Sequence, residues 1–121
     1  MSTLRSGVDI IEVDRLRAAI ERHGERFLNR IFTEAEREQL GEDLPSLAAR
    51  WAAKEAVAKA LGTGIGDVSW LEIEVLRGPA REPQLNLYGA AQDLAEQCAI
   101  QQWSISLSHT SQHAVAMAVA T

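Results

Sequence analysis

The feature that most constrains the fold is a long apolar segment that lies between Pro45 and Gly62. From Leu47 to Leu61 every residue is Ala, Leu, Val or Trp except for four charged ones, Arg50, Lys54, Glu55 and Lys59. This composition predicts a helix that is buried on most sides and ends at the glycine. Because a buried charge is costly without a partner, we expect these four side chains to meet an anionic ligand, a cation or one another.

The rest of the chain mixes short strands with helices. Apolar spacing predicts helical structure over residues 13–31 with a break at Gly24, and Thr33 with Glu36 predicts a capping box that opens another helix. Strands are expected at residues 8–11, 71–76, 84–87, 103–109 and 115–120, and a helix at residues 89–99. The last two strands are expected to form a hairpin of one half-exposed and one buried strand. This irregular order predicts an α+β fold with a small antiparallel sheet.

Length and composition restrict the functional class. A chain of 121 residues without an evident linker predicts one domain over residues 1–121. A net charge of −5 and six aromatic residues argue against general nucleic-acid binding. No stretch has the length of a membrane span, no secretory signal pattern is present, and Cys98 is the single cysteine. We therefore expect a soluble, cytoplasmic protein with no membrane partner and no internal disulfide.

Two carboxylates are candidates for a metal site. Asp9 interrupts a β-branched run, where aspartate is disfavoured by propensity and by burial, so it is expected to be either a cation ligand or a turn carboxylate. Glu55 is either a second ligand or the partner of Lys59 in an ordinary i,i+4 pair. Two carboxylates without nearby His or Cys suit a hard cation such as Mg²⁺, which completes its shell with waters and substrate phosphates.

A glycine-rich loop follows the apolar helix, with the sequence Gly62-Thr63-Gly64-Ile65-Gly66. Its glycines allow close backbone approach, and the amides of such a turn can hold phosphate oxygens. The loop lacks the Lys-Ser/Thr of a Walker motif and does not lead from a strand into a helix, so neither that motif nor the dinucleotide fingerprint applies. It is either a plain turn or, together with Arg50, Lys54 and Lys59, a diphosphate site.

Taken together, the motifs resemble the holo-acyl-carrier-protein synthases, the small branch of the 4′-phosphopantetheinyl transferases. The likeness covers nearly the whole chain and keeps the family order: Gly7-Val8-Asp9-Ile10, Arg50-Trp51-Ala52-Ala53-Lys54-Glu55-Ala56, Lys59-Ala60, the glycine loop, and Ser106-Leu107-Ser108-His109 with Ala114, Ala116 and Ala118. Trp51 stands where the family usually has Phe, which keeps an aromatic anchor at this position.

The resemblance implies a reaction and an assembly. The reaction is transfer of 4′-phosphopantetheine from coenzyme A to a serine of apo-acyl carrier protein, releasing 3′,5′-ADP in support of fatty acid biosynthesis. Similar synthases are homotrimers with active sites at subunit boundaries. Phosphoryl transfer needs mainly alignment and charge neutralisation, which agrees with the residue types present. Either Glu55 or a water is expected to accept the serine proton.

The resemblance also implies roles for individual residues. Asp9 and Glu55 would hold Mg²⁺, and Lys59 would stabilise charge that develops in the transition state. The coenzyme A diphosphate would be contacted by Lys59 and the glycine loop, Gly62, Thr63 and Gly64 included, with help from Lys54. Arg50 and His109 would lie near the 3′-phosphate, and a histidine bonded to backbone is the alternative for His109.

A row of arginines follows the first helical segment. If residues 13–31 formed one helix, four arginines would lie within about 80° of one another: Arg15, Arg22, Arg26 and Arg30. This row is either a solvated face balanced by Glu21 and Glu25 or a docking face. The resemblance favours docking of an acidic carrier protein, where such charges set encounter and specificity more than affinity.

Two other functions remain open from the residues alone. A Mg²⁺-dependent phosphotransferase or pyrophosphatase acting on a small nucleotide would use the same carboxylates and loop. A non-catalytic coenzyme A-binding module would use Asp9 and Glu55 only to neutralise neighbouring Lys and Arg side chains.

Overall fold

The computed structural model describes residues 3–121 and confirms the α+β fold. Its elements are β1 (Arg5–Glu12), α1 (Val13–His23), α2 (Glu25–Ile31), α3 (Glu34–Leu40), α4 (Leu44–Ala60), a 3₁₀ turn (Trp70–Glu72), β2 (Ile73–Arg77), β3 (Pro83–Leu87), α5 (Gly89–Gln97), β4 (Trp103–His109) and β5 (His113–Ala120). None of the helices within the described residues has the length and apolarity that crossing a bilayer requires.

The strands form two antiparallel sheets. One sheet has the order β1-β5-β4, and the other pairs β2 with β3. In the larger sheet Asp9 lies opposite Ala116, which in turn lies opposite Leu107, and the predicted β4–β5 hairpin is confirmed. The sheet therefore brings the two ends of the chain together, because the first strand pairs with the last.

The apolar helix α4 packs across the inner face of the three-stranded sheet, and most of its residues are buried. Gly7 of β1 touches its backbone: a Cβ atom at this position would lie 2.0 Å from the carbonyl oxygen of Ala56. Only glycine allows this approach, since a methyl group would force the strand and the helix apart. The contact fixes the distance between β1, which carries Asp9, and α4, which carries Glu55.

Two predicted boundaries were wrong. The helix α4 begins at Leu44 rather than Leu47, because Pro45 lies in its first turn, where proline has no N–H to lose and its fixed φ fits the helix. The segment 71–76 becomes a strand only at Ile73. Its first residues form a 3₁₀ turn, in which the Glu72 side chain accepts a hydrogen bond from the backbone N–H of Ser69 (2.7 Å).

The outer face of the three-stranded sheet is apolar and uncovered. Val8, Ile10 and Met117 are 51%, 65% and 49% exposed. The register places Val8 beside Met117 and Ile10 beside Val115. The expectation that β5 is a buried strand was therefore wrong, because alternate residues of β5 turn outward onto this face.

The free edge of β2 is closed by side chains of α3. Gln39 donates to the carbonyl oxygen of Arg77 (3.1 Å) and accepts from the N–H of the same residue (2.7 Å). Glu36 accepts from the N–H of Val75 (2.8 Å). These side chains take the place that a third strand would occupy.

Candidate active site

The structure brings Asp9 and Glu55 to the same region, one from β1 and the other from α4. Burial and then the negative charge of Asp9 raise the pKa of Glu55, while the positive charges of Lys59 and Arg15 oppose this shift. Since the charge of Asp9 raises the pKa of Glu55, the two carboxylates are near enough to repel, and a cation placed between them removes that repulsion.

Lys59 lies beside this carboxylate pair. Its ammonium group donates to the carbonyl oxygen of Val8 (2.8 Å) and to Oδ1 of Asp9 (3.2 Å). Over the described residues, Glu55 forms no ion pair within 4.0 Å, so the i,i+4 pair with Lys59 is not observed. The ammonium group has three N–H donors, of which two are engaged, and one is left for a ligand.

An open cleft of about 330 Å³ adjoins Lys59. It is lined by Ser6, Gly7, Val8, Lys59 and Met117. A larger open cavity of about 700 Å³ lies beside α3, and neither Asp9 nor Glu55 lines it. Asp9 and Glu55 do not line the smaller cleft either, but Lys59 does, and we place the candidate site beside this cleft because Lys59 contacts Asp9.

The donor set fits a hard cation that takes few protein ligands. Within residues 3–121 no group of three or more His, Cys, Asp or Glu side chains is arranged to surround a metal ion. Mg²⁺ usually binds one or two carboxylates and keeps several waters or substrate phosphates. Asp9 and Glu55 thus match Mg²⁺ bound together with a phosphate-bearing ligand.

His109 lies two strands away on the same inner face of the sheet as Asp9. It follows Leu107 by two residues on β4, and Leu107 is connected to Asp9 through Ala116. Because neighbouring strands are about 4.8 Å apart, β1 and β4 are separated by about 10 Å. The His109 side chain is exposed and makes no hydrogen bond within the described part of the chain, so the backbone-bonded alternative is not observed.

Lys54 lies in the core instead of at the ligand site. Its side chain is 0% exposed, and its ammonium group donates to Oε1 of Glu36 (2.7 Å) and to the carbonyl oxygens of Trp70 (3.0 Å) and Ile73 (2.6 Å). Burial lowers the pKa of Lys54, and the charge of Glu36 opposes this. Since all three donors are used, the expected help of Lys54 at a diphosphate is corrected: it joins α4 to α3 and β2.

Arg50 lies on the same buried side of α4 as Lys54. Burial and the positive charge of Arg77 lower the pKa of Arg50, while Glu36 opposes this shift. Its Nε atom is buried, and no residue in the described range accepts a hydrogen bond from it. The expected place of Arg50 near the 3′-phosphate stays a prediction.

The first part of the glycine loop caps the C-terminus of α4. Gly62 has a φ of 83°, and its N–H donates to the carbonyl oxygen of Lys59 (3.0 Å). The N–H of Thr63 donates to the carbonyl oxygen of Ala58 (3.0 Å), which completes a Schellman motif. The expectation that these two amides hold phosphate oxygens is corrected, because the helix end already uses them.

The middle of the loop keeps free donors. The N–H groups of Gly64 and Ile65 have no hydrogen-bond partner among residues 3–121. The Thr63 hydroxyl donates to Oδ2 of Asp67 (2.7 Å) and so braces the loop from within. Contacts between this loop and an anion would therefore come from residues 64 and 65.

The arginine row is divided between two helices. Gly24 has a φ of 60° and separates α1 from α2, which confirms the predicted break, so the four arginines do not lie on one continuous helix. All four arginines are nevertheless exposed: Arg15 and Arg22 on α1, Arg26 and Arg30 on α2.

These arginines are not neutralised as the solvated-face interpretation requires. Glu25 pairs with Arg37 of α3 (2.7 Å) instead. In the described range Arg22, Arg26 and Arg30 have no ion pair. The last two line a pocket of about 330 Å³ with His23 and Phe27. A basic surface is therefore available to an acidic partner.

Sequence reasoning missed two partners. It identified Glu36 only as a capping residue, although its carboxylate is also the buried counter-ion of Lys54, 18 positions away. It also missed the support of Arg15, whose Cζ lies 5.1 Å from the centroid of a Trp51 ring. Neither contact has a local sequence signal.

Comparisons with known proteins agree with this geometry. The sequence model described as the 4′-phosphopantetheinyl transferase superfamily matches residues 5–118. A holo-acyl-carrier-protein synthase of Herpetosiphon aurantiacus is 48% identical over 123 residues, which cover 96% of this chain and 97% of that relative.

Solved structures are similar over the same extent. The holo-acyl-carrier-protein synthase of Helicobacter pylori in complex with coenzyme A has a TM-score of 0.88 at 31% identity, covering 96% of this chain and 99% of that one. The synthase of Bacillus anthracis in complex with CoA (3′,5′-ADP) has a TM-score of 0.75 at 38% identity, covering 96% and 94%. With its fold and nearly its whole length matched, this chain belongs to the 4′-phosphopantetheinyl transferase superfamily, in its holo-acyl-carrier-protein synthase group.

Proposed function

We propose that this chain transfers 4′-phosphopantetheine from coenzyme A to a serine of an apo-acyl carrier protein and releases 3′,5′-ADP, in the context of fatty acid biosynthesis. The names of its relatives and the coenzyme A complexes of its structural neighbours support this activity. The observation that carries the proposal is the contact of Asp9 with the half-exposed Lys59, next to a Glu55 whose pKa is raised by the charge of Asp9. We further propose that residues 1–121 act as one transferase domain.

Asp9 and Glu55 would hold Mg²⁺, which when bound acts as a Lewis acid on diphosphate oxygens. Lys59, which contacts Asp9, would donate its free N–H to the diphosphate as negative charge develops on the leaving group. Glu55 or a water accepts the serine proton.

The remaining contacts with coenzyme A follow from which donors are free. We assign the amides of Gly64 and Ile65 to the diphosphate. We assign His109 to the 3′-phosphate; it lies on β4, about 10 Å from β1. Lys54 stays outside this set, because its three N–H donors are used in the core, while Arg50 is kept as a predicted contact of the 3′-phosphate.

We also propose that the protein acts in the cytoplasm as a homotrimer, with the three subunits that similar synthases have. The apolar outer face of the larger sheet supports self-association, since exposed apolar patches of this kind usually mark an interface. Met117 belongs both to this face and to the lining of the cleft. A neighbouring copy docked there would border the candidate site.

The carrier protein would dock on the exposed arginines of α1 and α2. Arg15, Arg22 and Arg26 are the expected contacts, and the ion pair of Glu25 with Arg37 leaves the last two without a competing partner within the described residues.

The deciding experiment incubates the chain with apo-carrier protein, coenzyme A and Mg²⁺ and follows the carrier by mass spectrometry. A mass gain of one phosphopantetheine group is expected, and Asp9→Asn and Glu55→Gln should abolish it. Gln84→Glu, an exposed change on β3, is a control that should retain turnover. Turnover of small nucleotides without carrier modification would overturn the proposal in favour of a nucleotide phosphotransferase.

A further inference from the structure

Arg15 is supported by an aromatic ring. Its guanidinium carbon lies 5.1 Å from the centroid of a Trp51 ring, within the roughly 6 Å range of a cation–π contact. Trp51 is buried, at 6% exposure, while Arg15 is exposed. The ring thus restricts an arginine side chain that would otherwise sample many rotamers in solvent.

The orientation of the Trp51 ring is itself fixed. Phe27 of α2 meets it edge-on, with centroids 5.4 Å apart and an interplanar angle of 79°. Trp70 of the 3₁₀ turn meets it at 6.1 Å and 66°. Both contacts have the geometry that aromatic pairs prefer, so three separate elements determine which way the indole faces.

Arg15 differs from the other exposed arginines in this support. Within residues 3–121 Arg22, Arg26 and Arg30 make no such cation–π contact with an aromatic ring. Trp51 also precedes Glu55 by about one helical turn, and the charge of Arg15 acts on Glu55. The supported guanidinium therefore lies where the arginine surface meets the carboxylate pair.

We propose that Trp51 is a positioning residue for carrier recognition: it holds the Arg15 guanidinium ready to pair with an acidic side chain of the carrier. Pre-ordering a side chain lowers the entropy lost on binding, so the benefit falls on use of the carrier and not on coenzyme A. Tryptophan is the strongest of the aromatic residues in cation–π contacts, so phenylalanine at this position would hold Arg15 less firmly. This inference rests on the proposed transfer to a carrier protein.

The test is a double-mutant cycle of Trp51→Phe and Arg15→Ala. Trp51→Phe should lower kcat/KM for the apo-carrier by about two- to fivefold through KM, with KM for coenzyme A unchanged. In the Arg15→Ala background the same change should have no further effect, because the cation that it acts on is absent.

Trp103→Phe is the matched control. It makes the same chemical change in a ring on β4 that, within the described residues, has no ring contact with Trp51 and no cation over it. It should leave carrier use unchanged. The positioning role is overturned if Trp51→Phe costs the same in both backgrounds, if it raises KM for coenzyme A, or if Trp103→Phe reproduces its effect.

Direct binding of apo-carrier without coenzyme A is also measured for the wild type, the two single variants and the double variant. This measurement separates the role of Trp51 from the proposed transfer reaction. If the wild-type chain modifies no carrier, the proposed function fails, and the binding cycle still decides whether Trp51 acts through Arg15. A chain that neither modifies nor binds the carrier overturns both.

Discussion

Lys54 and Lys59 lie on the same helix, and each is paired with a carboxylate, Glu36 for the first and Asp9 for the second. The side chains of the first pair are 0% exposed and 2.7 Å apart, whereas Lys59 is 50% exposed and 3.2 Å from its partner. Lys54 has no N–H donor left for a ligand, whereas Lys59 has one. The same residue type therefore organises the core at one position and is available to a ligand at the other.

The neighbouring glutamates show the same contrast. Burial raises the pKa of Glu74, but hydrogen bonds from three side chains and the charge of Lys54 outweigh it and leave this pKa below its usual value. Burial and the charge of Asp9 raise the pKa of Glu55. The region around Lys54 provides hydrogen bonds and a positive charge to the carboxylate of Glu74. The region around Lys59 leaves the carboxylate of Glu55 in need of a cation, which is typical of functional sites.

The largest effect is expected from breaking the buried pair. Lys54→Met should destabilise the protein by about 3–5 kcal/mol, because Glu36 would remain charged in the core without a counter-ion. Urea unfolding followed by circular dichroism measures this change. Lys59→Met is the matched control on the same helix, and its stability should stay within about 0.5 kcal/mol of wild type. Equal losses in the two variants would contradict the contrast.

The effect on activity should follow the opposite order and be larger at Lys59 than at Lys54. Lys59→Met removes the donor at the diphosphate and should lower kcat about 100-fold, equivalent to about 2.7 kcal/mol, while the fold is retained. Turnover of apo-carrier at saturating coenzyme A measures it, and Lys59→Arg should recover part of the loss. A variant that turns over like wild type would remove Lys59 from the reaction.

A smaller, pH-dependent effect is expected at Glu74. Its lowered pKa gives stability that is present above the unfolded-state value of about 4.5 and is lost as the pH falls through the lower folded-state value. Glu74→Gln should therefore be less stable than wild type by about 1–2 kcal/mol at pH 7, with the difference shrinking below about pH 4. Unfolding curves across this range test it, and a constant difference would argue against the assignment.

The smallest effect has the opposite sign. The raised pKa of Glu55 means that its contribution to stability is lost as the pH rises through that pKa. In the presence of a chelator, Glu55→Gln should stabilise the protein by about 0.3–0.5 kcal/mol at pH 7, since the repulsion with Asp9 is gone. The gain should vanish near pH 4, and transfer activity should be absent. Destabilisation at pH 7 would show that the two carboxylates do not repel.

Features with local signals were predicted well from the sequence. The break at Gly24, the capping box of Thr33 with Glu36 and the helix end at Gly62 were all confirmed, because each depends on residues within a few positions. The start of α4 was missed for a local reason too, since Pro45 can either precede a helix or lie in its first turn.

Which lysine is buried could not be predicted. Both are charges on an apolar helix, and the difference arises from Glu36, 18 positions from Lys54, and from Asp9, 50 positions from Lys59. The close approach of Gly7 to Ala56 likewise depends on how β1 packs on α4. The proposed pairing of Asp9 with Glu55 came from the family resemblance and from their shared suitability for Mg²⁺, not from any periodicity.

The side chains that occupy the edge of β2 also limit how the molecule can aggregate. A strand from another copy could add there only by displacing the amide of Gln39 and the carboxylate of Glu36, and Lys59 obstructs the outer edge of β1 at Val8 in the same manner. Aggregation by addition of strands to these two edges is therefore disfavoured, which leaves the exposed face of the larger sheet for contacts between copies. Occupied strand edges of this kind protect the protein against amyloid growth.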